Sequence, residues 1–138
     1  MQWLVWALLS AVFAGATAVL AKIGVANINS TAATAVRTTV VFLFTWLIVL
    51  FTDTRSLTSI PKRSWLFLLL SGIATGLSWL CYFRALQLGH ASQVAPIDKL
   101  SVVVAMVLAA IFLHEQIGWL HWIGGSMIFL GAIVLAYA

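Results

Sequence analysis

Five charged side chains lie in stretches that are otherwise apolar: Lys22, Arg37, Arg84, Asp98 and Lys99. In hydrocarbon each such charge costs ~3 kcal/mol, against ~0.3 to 0.6 gained per large aliphatic residue, so they belong to a protein interior or a wet cavity. Four are cationic and one is acidic, leaving three positive charges in excess. Gathered in a low-dielectric vestibule, they would attract a carboxylate or a phosphate. The candidate substrate-binding set is therefore Asp98, Lys99, Arg84, Arg37 and Lys22. Trp79 and Tyr82 join it as rings within about one turn of Arg84 that could stack on a substrate. Core packing competes as a role for the two rings, and a headgroup-level position competes for Lys22 and Arg84.

Other reactive residues point to no catalytic chemistry. No serine sits in a nucleophile elbow and no histidine and carboxylate set forms a catalytic pattern, so an enzyme is not expected. His114, Glu115 and His121 have no spacing that requires a metal, and they read as a solvated helix end. Neither a metal nor a cofactor is implied. Cys81 is the single cysteine, so no disulfide closes within the chain. The net charge of +4 is scattered among apolar segments rather than arranged as a surface stripe, which argues against nucleic acid.

The elements that must position these charges follow from composition. Of 138 residues 64% are hydrophobic and 7% charged, with a mean hydropathy of +1.14, outside the range of water-soluble domains. Windows long enough to cross ~30 Å of hydrocarbon fit at residues 3–23, 31–52, 64–88, 92–113 and 119–137. The expected fold is an all-α membrane protein of five transmembrane helices, one domain over residues 1–138. The first window contains "AGATA", which looks like a small-residue cleavage site, but it lacks a basic start and is too long for a signal peptide, so it reads as a retained helix. Residues 53–63 form the clear aqueous loop, with Pro61 and three basic residues.

Helices three and four join at "LGHAS", where Gly89 suits a left-handed C-cap and Ser92 an N-cap. The resulting antiparallel hairpin puts Arg84, ~7.5 Å down its helix, near the depth of Asp98 at ~9 Å. An Arg84–Asp98 pair is expected. Asp98 and Lys99 point ~100° apart on a continuous helix and are not expected to neutralise each other along it. Arg37 lies ~9 Å into helix two from the same side, and Lys22 ends helix one there. Pro96 either kinks the fourth helix or sits harmlessly in its first turn. Gly124, Gly125, Gly131 and Ala132 on the last helix suggest an assembly surface of small residues. Lysine and arginine are spread over both sides, so orientation is weakly set and two copies could insert oppositely.

The chain also resembles EamA-type proteins of the drug/metabolite transporter superfamily over nearly its whole length. The resemblance rests on "ALQLGHAS", the proline shortly after it, "FLHEQI" with its glutamate, and the glycine-bearing final helix. Lys22 and Arg37 match a basic residue closing helix one and an arginine early in helix two. Most such proteins join two inverted five-helix repeats. A chain with one repeat resembles the short bacterial type, half of an inverted-repeat transporter. The resemblance implies a multi-pass protein of the bacterial inner membrane that works as an antiparallel homodimer and moves a small metabolite. The charges in "PIDKL" depart from the apolar residues of longer members. The expected function is secondary transport of a small polar, anionic or zwitterionic metabolite. A small multidrug-resistance-like cation exporter is one alternative, although helix one lacks the acid it would need. A non-transporting membrane assembly subunit is the other.

Overall fold

The computed structural model describes residues 2–52 and 60–138. Residues 53–59, the larger part of the expected aqueous loop with Asp53 and Arg55, lie outside the described residues. The elements are α1 (Gln2–Gly24), α2 (Ser30–Thr52), α3 (Lys62–Leu88), α4 (Ala91–Asp98), α5 (Ser101–Phe112) and α6 (Trp119–Tyr137). Among the described residues five spans are long and apolar enough to cross a membrane, with Ala91–Phe112 counting as one. Large apolar side chains along them are outward-facing, as lipid contact allows. Trp3, Trp6, Trp65 and Trp119 are exposed near helix ends, where interfacial tryptophans belong.

The fourth span is not one continuous helix. Pro96 sits beyond the first turn of α4 and has no N–H for the preceding turn. Past it the ladder tightens. The Lys99 N–H is shared between the carbonyls of Ala95 (3.3 Å) and Pro96 (3.1 Å), and Leu100 donates to Ile97 at 3.0 Å. Val102 and Val103 likewise reach only three residues back, to Lys99 and Leu100. This is the narrower 3₁₀ spacing. Lys99 and Leu100 keep helical dihedrals, so the chain is pinched at the charged pair without reversing.

Two bodies make up the chain, one of α1 with α4, α5 and α6, the other of α2 and α3 with the turn before α2. In the first, α4 and α5 pack on α6, and Gln93 Nε2 donates to the Ala136 carbonyl at 3.3 Å. Gly125 packs where α6 meets α5, and a Cβ there would lie 3.3 Å from the Met106 methyl carbon, which would have to shift. Gly125 and Ala132 are buried, whereas a Cβ at Gly124 or Gly131 would meet nothing within 4 Å. The expected small-residue face of the last helix is therefore two adjacent stripes, one packed inside the protomer and one open.

In the second body the core is Val25, Ala33, Thr34, Phe83 and Leu86. Asn29 caps α2: its side-chain oxygen accepts the Thr31 N–H at 2.8 Å and the Ala32 N–H at 3.4 Å, satisfying donors that a helix start leaves free.

Two expected caps differ. No glycine has positive φ, so Gly89 is not a left-handed cap; the one left-handed residue among those described is His114, at φ 53°. Histidine tolerates that region better than most side chains. It follows α5, where the Leu113 and Glu115 N–H groups both return to the Ala109 carbonyl. α4 begins at Ala91, with His90 rather than Ser92 at the N-cap position and no side-chain cap bond.

Candidate functional site

The α2–α3 body holds Arg37, Trp79, Tyr82 and Arg84. α2 is apolar on most of its surface, so Arg37, seven residues past Ser30, sits ~10 Å along it. The neighbouring helix covers the guanidinium with rings instead of carboxylates. Its central carbon lies 4.3 Å from the Trp79 ring centroid and 5.4 Å from that of Phe83, both within cation–π range. Tyr82 packs edge-on to Phe83, with centroids 6.4 Å apart. Trp79 and Phe83 are four residues apart, so one face of α3 presents both.

Stacking engages the flat face of a guanidinium and leaves its rim of N–H donors available. Among the described residues the one ion pair is Asp98–Lys99, and the described residues of the α2–α3 body include no carboxylate. N–H donors at this depth are costly in hydrocarbon unless they meet a wet cavity, a partner or a ligand.

Arg84 is exposed and its Nη1 donates to Gln87 Oε1 at 3.0 Å. Gln87 in turn donates through Nε2 to the carbonyls of Val25 and Ile28 in the α1–α2 turn. One side chain thus ties the start of α2 to the end of α3. Within its own body Arg84 therefore has Gln87 as a partner.

The other body holds Lys22, Asp98 and Lys99. Lys22 Nζ donates to the Gly89 carbonyl at 2.7 Å. That carbonyl lies just past the C-terminus of α3, where a cation is favoured. Asp98 Oδ2 is 3.5 Å from Lys99 Nζ, so the adjacent charges do pair. The ~100° separation assumed a regular helix, and the pinch after Pro96 together with the long lysine stem removes that barrier.

Sequence reasoning missed Gln87, Phe83 and a row of threonines. Gln87 carried a signal, being three residues after Arg84 and so on the same helix face. On α2, Thr34 donates its hydroxyl to the Ser30 carbonyl (2.8 Å), Thr38 to Thr34 (2.8 Å) and Thr39 to Ala35 (3.0 Å). Thr31, Thr34, Thr38 and Thr39 line a groove of about 610 Å³ with Ala35, Phe42, Gly76 and Leu80.

Five apolar spans with polar side chains set within them define a multi-pass membrane protein. The particular family follows from comparison: the EamA-like transporter family matches residues 1–137, and the chain belongs to it. It is 52% identical over 136 residues to an "Uncharacterized transporter in cobO 3'region" from Sinorhizobium sp, covering 98% of this chain and 96% of that one. It is also 30% identical over 69 residues to a "Probable 4-amino-4-deoxy-L-arabinose-phosphoundecaprenol flippase subunit ArnE" from Aeromonas salmonicida (strain A449), covering 50% of this chain and 60% of that one. No solved structure matches.

Proposed function

We propose that this transporter moves a small polar metabolite carrying a carboxylate or a phosphate, and that Arg37 receives the anionic group. The observation that carries the reading is the guanidinium stacked on Trp79 in a body whose described residues include no carboxylate. A planar fork of donors matches a carboxylate or phosphate in two-point contact. Lys22, Arg84 and Lys99 each have a protein partner, so the anionic group is assigned to Arg37 rather than to them.

The transporter works as an antiparallel homodimer of single-domain protomers in the bacterial inner membrane. A lone protomer leaves most large side chains outward-facing, and an inverted copy would supply the second half of an alternating path. The relative named as a flippase subunit favours a second reading, in which a different membrane chain takes the place of the second copy. Reconstituting the purified chain alone and screening flux of carboxylated and phosphorylated metabolites separates the two. Saturable flux by one polypeptide species supports the homodimer. Flux that appears only when a second chain is added supports the subunit reading.

A further inference from the structure

We propose that the threonine-lined groove between α2 and α3 binds the neutral, hydroxyl-bearing part of a solute, of the polyol or sugar class. Three of its four threonines spend their single hydroxyl proton on the carbonyl four residues back. Each oxygen is then left with acceptor capacity only. The polar part of the wall at these positions therefore accepts hydrogen bonds, and a complementary occupant must donate them.

Charge selects among donors. No acidic side chain lines the groove, and Arg37 immediately precedes Thr38 on the same helix. An ammonium group would lose its hydration there without gaining a counter-charge. Neutral hydroxyl groups meet neither obstacle. Most of the wall is apolar, with Ala35, Phe42 and Leu80 in it, and it suits the C–H faces of the same molecules. Gly76 leaves open space where a side chain would stand, and the groove, about 610 Å³, is open along its length and would cover one face of a small solute. Arg37 is not part of the lining, so this inference goes beyond the anion reading and does not depend on it.

Calorimetric titration of the full chain in lipid nanodiscs tests the proposal with sorbitol and D-ribose as probes. Tetraethylene glycol, rich in acceptors and poor in donors, is the control. Saturable heat is expected with both probes and not with the control. Replacing Thr34 and Thr38 together by valine keeps their shape and should weaken probe binding about tenfold or more. Thr38→Ser keeps the hydroxyl and should bind within about threefold of the parent. Absence of saturable heat with either probe, or equal heats from probe and control, overturns the proposal without any variant and leaves a lipid chain as the occupant. Undiminished binding by a folded Thr34→Val, Thr38→Val protein overturns it as well.

Discussion

The guanidinium carbon of Arg37 rests 4.3 Å from the centre of the Trp79 ring, so an arginine within a membrane helix is held by an aromatic face. Such contacts contribute ~0.5 to 2 kcal/mol, more where water is excluded. Trp79→Leu should therefore weaken binding of an anionic solute several-fold, about 2- to 30-fold, by releasing the guanidinium. Trp79→Phe should recover part of the loss. Titration of both variants with one carboxylated ligand checks the order, and equal affinities for Leu and Phe would speak against stacking.

Gln87 joins three partners through one amide. Gln87→Leu should lower stability by about 0.5 to 2 kcal/mol, the range for polar contacts between membrane helices. Hydrogen exchange should rise at the start of α2. Arg84→Gln removes only an exposed contact and should cost less. A larger loss from Arg84→Gln in thermal unfolding would reverse these assignments.

Lys22 caps a carbonyl just past α3. Lys22→Met should destabilise by about 1 to 3 kcal/mol, as for a hydrogen bond to a charged group, and leave ligand affinity unchanged. The two effects are read by unfolding and by calorimetry on the same sample. An affinity loss with stability intact would return Lys22 to the substrate.

Gly125 faces Met106 closely while Gly124 is open. Gly125→Val should overpack the protomer by about 1 to 3 kcal/mol. Gly124→Val should leave the protomer's stability alone, and if the open stripe joins copies it should reduce the dimer fraction measured by light scattering with detergent correction.

Much of the architecture was legible because apolar run length and polar interruption set membrane spans directly: all five expected windows match observed spans to within two residues at each end. Pro96 left a kink and a harmless first-turn proline equally open in the sequence, and the pairing of Asp98 with Lys99 was hidden because it depends on where the tightened turn falls. Arg37 and Trp79 were both recognisable as unusual, yet lie 42 positions apart in the sequence, and periodicity within a helix says nothing about which ring another helix presents. Gln87 was hidden for the same reason. Its partners are carbonyls of a turn, which any residue type can supply.

The most direct measurement is the affinity of the reconstituted chain for a carboxylated or phosphorylated solute it transports, compared among the parent, Arg37→Lys and Arg37→Gln. Charge-assisted hydrogen bonds contribute ~1.5 to 3 kcal/mol, so Arg37→Gln should bind about 10- to 100-fold more weakly. Arg37→Lys should fall between, since an ammonium keeps the charge but not the two-point fork. Parent-like affinity in a folded Arg37→Gln protein would contradict the assignment of Arg37 as the anion-receiving residue.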